Sequence, residues 1–214
     1  MNRLVKLILQ KISVPVFTAR EISLLIPESK DTQYALMKRA IANNDIIRIK
    51  RGLYTLSPLY RKSLINPFAV SNLIEEQSYI SLETLLSLKG WIPEGVRTIS
   101  SVTIKNSKQY DTPFGQFTYH RVPQKTLFSG VERKEDEEGN IWFQATCLKA
   151  LCDYVYLNKL DWTTSLPLIE SLRIEKEYLK EITIDDFIEL QDNYTDSRIL
   201  KFIVGLKKEL FDEH

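Results

Sequence analysis

Two histidines and two cysteines are all that this chain of 214 residues contains, and their placement excludes most metal and redox chemistry. Cys147 and Cys152 stand five apart in a segment with helical periodicity, so their Cβ atoms diverge and an intrahelical disulfide is not expected. His120 and His214 are isolated, and no ligand set of recognisable spacing results. The cysteines read as small apolar side chains, and neither a metal nor a cofactor is expected. Long apolar runs are also missing, which excludes a transmembrane helix. At the start of the chain, MNRLVKLILQKISV is interrupted by Lys6, Gln10 and Lys11, and no small-residue cleavage site follows. It reads as an amphipathic helix of a cytoplasmic protein.

Catalytic patterns are equally scarce. There is no glycine-rich phosphate loop, no G-x-S-x-G, no paired histidines and no carboxylate cluster at repeated spacing. His120 lies between Tyr119 and Arg121 without a triad partner, and Ser100, Ser101 and Asp111 add no supporting pattern. The sequence is therefore not read as an enzyme.

Hydrophobic residues make up 43% and charged residues 27%, which is ordinary for a globular protein. The length suffices for one large domain or two small ones. The net charge of +1 conceals a division. Residues 1–65 hold twelve Lys/Arg against four Asp/Glu, a net of +8; the remainder holds 17 against 24, a net of −7. Such asymmetry suggests a basic module meant for a polyanion, joined to a module with another task.

The basic module, residues 1–60, reads as three helices and a hairpin. Leu4, Leu7, Ile8 and Ile12 recur at helical spacing in 2–12. Val16-Phe17-Thr18 leads into a second helix over about 19–26, where Thr18 and Glu21 form a capping box and Pro27 ends the run. A third helix is predicted from Asp31 or Thr32 to Asn43-Asn44. Strands at 46–50 and 53–56 follow, joined through Arg51-Gly52. Helix, helix, helix, hairpin is the order of a winged helix-turn-helix.

With Met37 inward on the third helix, Gln33, Ala40 and Ile41 lie within about 60° of it, with Tyr34 at the same limit. Thr32, Ala35, Arg39 and Ala42 then face outward, with Asp31 and Lys38 on the flanks. Small residues at 35 and 42 let a helix sink into a groove, where Thr32, Lys38 and Arg39 reach phosphates or base edges. On the hairpin, the even spacing of Arg48 and Lys50 predicts that both leave one strand face, with Arg51 at the tip. Three cations there suit a wing lying against the phosphate backbone of double-stranded DNA. The alternatives are a solvated hairpin carrying edge-protecting charges and a winged helix that binds protein.

The second module, residues 66–214, reads as a mixed sheet within 78–145 followed by helices over 146–211. A short helix opens at Pro67, and a second is predicted from Ser81 with Ser81 as its cap. Strands are predicted at about 98–105, 108–111, 115–122 and 141–145. The acidic run ERKEDEEGN, 132–140, reads as a solvated polar loop. The fold class expected is α+β: an N-terminal winged helix-turn-helix, then a mixed α/β domain with a helical C-terminal region.

Several stretches resemble one family: "PVFTAREI" (15–22), "YALMKRAIANNDIIRIKRGLYTLSP" (34–58), "NPFAVSNLI" (66–74), "SYISLETLLSLKGWIPEGVRTISSVT" (78–103), "YDTPFGQFTYHRV" (110–122) and "KALCDYVYL" (149–157). In this order, over about 15–160, they are similar to the AbiEi-type antitoxins of abortive-infection, type IV toxin–antitoxin systems. The resemblance implies a winged helix that binds repeats in its own promoter and represses it. It also implies a second domain that counteracts a nucleotidyltransferase-like toxin without a stable complex. One departure stands out. A Pro-Glu-Lys-Ala-like run usually opens the helix after the last strand, whereas Cys147-Leu148-Lys149-Ala150 stands here, without the proline and the glutamate. Lys149 and Asp153 remain, four apart on one helical face. They are expected either to lie on a surface needed for the antitoxin role or to form a plain surface ion pair. A winged-helix regulator or protein-interaction module with no toxin partner is the other reading of the whole chain.

Overall fold

Local capping defines the first elements of the computed structural model, which describes residues 2–212. Met1, Glu213 and His214 lie outside it, including the second histidine weighed above. Helix α1 (Arg3–Lys11) starts where the Asn2 side chain accepts from the Leu4 amide at 3.0 Å. Helix α2 (Ala19–Leu25) carries the complete Thr18–Glu21 capping box. Helix α3 (Lys30–Ala42) begins one or two residues earlier than predicted, because Ser29 provides its cap by accepting from the Thr32 amide.

Strand β1 (Val16–Thr18), which the sequence shows only as a lead-in to α2, pairs antiparallel with β3 (Leu53–Leu56). β3 also pairs with β2 (Ile46–Lys50), giving the order β1-β3-β2. Between helices and sheet lie Leu4, Val5, Ile8, Phe17, Ile22, Ile26, Ala40, Ile46 and Leu56. Each such side chain contributes about 1.5–3 kcal/mol on burial, the alanine less.

The second unit is a six-stranded mixed sheet with helices against it. Its elements are α4 (Pro67–Ile74), β4 (Ser78–Ile80), α5 (Leu82–Leu88), β5 (Ile99–Thr103), β6 (Lys108–Thr112), β7 (Gly115–Arg121), β8 (Val131–Glu135) and β9 (Ile141–Ala145). Five helices follow: α6 (Cys147–Leu157), α7 (Leu166–Ser171), α8 (Lys176–Leu179), α9 (Ile184–Leu190) and α10 (Ser197–Phe211). The strand order is β6-β7-β5-β4-β9-β8, with β5/β7 and β4/β9 parallel and the other pairs antiparallel. Among the described residues the fold is thus mixed α+β, with ten helices and two sheets.

One expectation fails here and another holds only in part, both for physical reasons. Residues 132–135, read as loop, belong to β8, which pairs Val131 with Ala145 and Glu135 with Ile141. β8 is an edge strand, and edge strands carry charges that an inner strand would not. The loop proper is shorter and is held by Asp136, whose carboxylate accepts from the Glu138 and Asn140 amides and from the Asn66 and Asn140 side chains. Ser81 holds the N-cap position of α5 as expected, but its hydroxyl makes no capping bond and donates instead to Asp153 at 2.7 Å.

The core of this unit gathers Tyr79, Leu85, Leu86 and Trp91 with Leu148, Leu151 and Val155 of α6 and Ile199, Phe202 and Leu206 of α10. α10 packs so closely that a methyl at Gly205 would overlap the Thr163 carbonyl oxygen. A further apolar cluster joins the units, with Val16, Ile49 and Leu53 against Val70, Ile74, Phe117 and Tyr119.

Candidate nucleic-acid interface

The outward face predicted for α3 is the exposed one. Thr32, Ala35, Lys38, Arg39 and Ala42 are all exposed, while Met37 and Ile41 pack on the core and Ala40 is fully buried. Gln33 points inward and fixes the helix: its amide donates to the carbonyls of Ile26 at 2.8 Å and Glu28 at 3.1 Å. These bonds tie the first turn of α3 to the turn that precedes it. Tyr34, placed at the inward limit by the helical wheel, is 70% exposed, so the outer face also carries a large aromatic ring. Arg3 of α1 shares a shallow hollow with Arg39 and pairs with Glu28 at 2.5 Å.

The hairpin separates its three cations. Arg48 and Arg51 are exposed, and Gly52, at φ +85°, supplies the left-handed turn conformation that follows Arg51. Lys50 does not share their surface. Arg48 pairs with Tyr54, but Lys50 pairs with Leu53, because one extra residue is inserted in β2. Tyr54 and Leu53 are consecutive, so their side chains leave opposite faces of the sheet. A β-bulge of this kind shifts the side-chain alternation, and it turns Lys50 to the Ile49–Leu53 face that packs on the second unit. There its ammonium donates to the Ile74 carbonyl at 2.5 Å and lies 5.7 Å from the Tyr110 ring centroid. Burial lowers its pKa, against the opposing pull of Glu75. The expectation that Arg48 and Lys50 leave one exposed face is corrected accordingly.

Lys149 and Asp153 are likewise not on a surface. Both are fully buried. The Lys149 ammonium donates to Gln124 Oε1 at 2.7 Å and to the Tyr194 hydroxyl at 3.3 Å, between the rings of Tyr79 and Tyr194. The Asp153 carboxylate accepts from the hydroxyls of Ser81 (2.7 Å), Tyr79 (2.9 Å) and Tyr194 (3.1 Å). Tyr194 stands between the pair, accepting from the lysine and donating to the aspartate. Burial pushes the Lys149 pKa down and that of Asp153 up, and their mutual attraction opposes both shifts. The network joins β4, the residue before α5, the 124–126 segment, α6 and the turn before α10. Its members lie 74 and 41 residues from Asp153 along the chain, which is why helical spacing alone suggested a surface pair.

Ser101 and Asp111 are held in structural bonds. Ser101 shares a buried hydrogen bond with Ser71 at 2.9 Å, and the Tyr119 hydroxyl donates to the Ser71 carbonyl at 2.7 Å. Asp111 accepts from the Gln116 amide at 2.9 Å. Burial pushes the Cys147 thiol up to about 12 and raises Cys152 as well, so neither is a ready thiolate. No helix among the described residues is long and apolar enough to cross a membrane. Neither a protein-family model nor a curated protein matches the chain.

Proposed function

We propose that residues 1–60 form a winged helix-turn-helix that binds double-stranded DNA, and that the chain is a transcriptional regulator rather than an enzyme. The observation that carries this reading is the exposed face of α3, with Thr32, Ala35, Lys38 and Arg39. It stands in one small unit with a hairpin whose Arg48 and Arg51 are free of ion pairs among the described residues. In this reading α3 enters the major groove, Ala35 and Ala42 allow close approach, and Thr32 and Arg39 reach base edges or phosphates. Arg48 and Arg51 follow the adjacent backbone as the wing. Lys50 takes no part in it.

The resemblance to the AbiEi-type antitoxins extends the proposal. The DNA is then the chain's own promoter, bound at repeats, and the second unit counteracts a nucleotidyltransferase-like toxin in the cytoplasm without a stable complex. The burial of Lys149 and Asp153 removes them as the acting surface and makes them part of the second unit's interior.

Fluorescence anisotropy with DNA from upstream of the gene and with random duplex tests the first part. Binding is expected to weaken linearly in log Kd against log salt, by about 0.9 per phosphate neutralised. The upstream DNA is expected to bind more tightly than the random duplex. Salt-independent binding, or none, overturns the reading. Leu24 of α2 (78% exposed) and Tyr34 of α3 favour a second reading, in which the first unit docks a protein; it predicts no salt-sensitive affinity for DNA.

A further inference from the structure

The base of the hairpin is attached to the second unit by contacts of three kinds. The first is apolar: Ile49 of β2, Leu53 of β3 and Val16 of β1 pack against Val70 and Ile74 of α4 and Phe117 and Tyr119 of β7. The second is polar: Lys50 donates to the carbonyl of Ile74, the last residue of α4, at 2.5 Å. A helix C-terminus presents carbonyls without intrahelical partners and a partial negative charge, so a cation there satisfies both. The third is the Tyr110 ring, 5.7 Å from the same ammonium. Around them Glu75 is held by Lys105 at 2.6 Å and Lys108 at 3.9 Å, so the end of α4 is itself fixed to the segment that links β5 to β6 and to the start of β6.

We propose that Lys50 is an interdomain latch: it holds the wing in one orientation against α4 and β6 and so places DNA binding under the control of the second unit. The latch rests on the reading of residues 1–60 as the DNA-binding unit. The mechanism follows from the bulge. Without the inserted residue, Lys50 would leave the Arg48 face and add a phosphate contact. With it, that contact is exchanged for an anchor, and Arg48 and Arg51 are presented from a hairpin whose other face is packed against the second unit. Whatever moves the C-terminal turn of α4, or the β5–β6 connection holding Glu75, releases the wing. Preorganisation of this kind raises affinity by removing the ordering cost from the binding step.

The test compares full-length wild type with Lys50→Met, which keeps the stem and removes the ammonium, and with Tyr110→Leu, which removes the ring and leaves the lysine. Arg51→Met at the exposed tip is the control. Amide hydrogen exchange is followed in free protein over residues 46–56 and 72–76, and DNA affinity is measured across salt. With a latch, Lys50→Met accelerates exchange in both segments by about tenfold. It weakens DNA binding severalfold with an unchanged salt slope, and Tyr110→Leu does the same to a smaller degree. Arg51→Met leaves exchange unchanged and reduces the slope by about one unit. Unchanged exchange in both Lys50→Met and Tyr110→Leu overturns the latch, as does a salt slope lowered by Lys50→Met, which would make Lys50 a direct phosphate contact. If wild type binds no DNA, the proposed function fails while the exchange arm still decides the attachment.

Discussion

Lysine is placed in opposite ways in the two units. In the first, Lys38 on α3 is exposed beside Arg39, with Arg48 and Arg51 on the hairpin. In the second, Lys149 is fully buried between two tyrosine rings and shares its hydrogen-bond network with a buried aspartate. An exposed cation contributes little to stability and is available to a phosphate. A buried one is costly to leave unpaired and is available to nothing outside. Lys50 stands between these cases, half-buried where the units meet. Charge counted along the sequence marks the basic module, but it does not say which cations remain free.

The largest expected effect lies in the buried network. Asp153→Ala leaves three hydroxyl donors without their acceptor and the buried Lys149 ammonium without its counter-charge, so a loss of about 3–5 kcal/mol is expected by chemical denaturation. Removing both charges together, as Lys149→Met with Asp153→Leu, is expected to cost less than Asp153→Ala alone. A double variant costing the sum of the two single ones would show that they do not act as a pair. Next in size, Gly205→Ala places a methyl against the Thr163 carbonyl, and a loss of about 1–3 kcal/mol is expected from overpacking. An unchanged Tm would mean that α10 is not seated that closely.

A smaller effect is expected with pH. Donation from the Asn66 side chain is the largest influence on Asp136; burial opposes it, and the Asn140 side chain and backbone amides tip the balance, holding the carboxyl below its usual range. For Glu75, burial is the largest influence and raises the pKa, but the bonds and charges of Lys105, Gln77 and Lys108 together outweigh it. A carboxyl group whose folded pKa is depressed stabilises the fold above its unfolded value and loses that contribution as pH falls towards the folded one. Stability is therefore expected to decline below about pH 4. Asp136→Asn and Glu75→Gln should each make that decline shallower. An acid limb identical to wild type in both variants would contradict these assignments.

The features legible in the sequence are those that neighbouring residues decide. The Thr18–Glu21 box and the outward Thr32, Ala35 and Arg39 need only spacing along one helix. The features that were not legible depend on partners far along the chain. Charged VERKE became strand β8 because Ile141–Ala145 lies beside it. Ser81 caps α5 by position only, because its hydroxyl is turned to Asp153, 72 residues away. Lys149 and Asp153 had the spacing of a surface pair, but Tyr79, Gln124 and Tyr194 enclose them. Lys50 failed through a single inserted residue, which no alternation pattern shows in advance.

The smallest effect on stability and the most direct test of function come from the same variant, Arg48→Ala with Arg51→Ala. Both side chains are exposed, so the fold should change by less than about 0.5 kcal/mol for each. The decisive measurement is the slope of log Kd against log salt for duplex DNA, wild type beside this variant, with thermal stability confirmed equal. The account predicts a slope shallower by about two units, with affinity reduced to a similar degree on upstream and random DNA. An unaltered slope and affinity would contradict it and would leave the exposed cations of the hairpin without a part in binding.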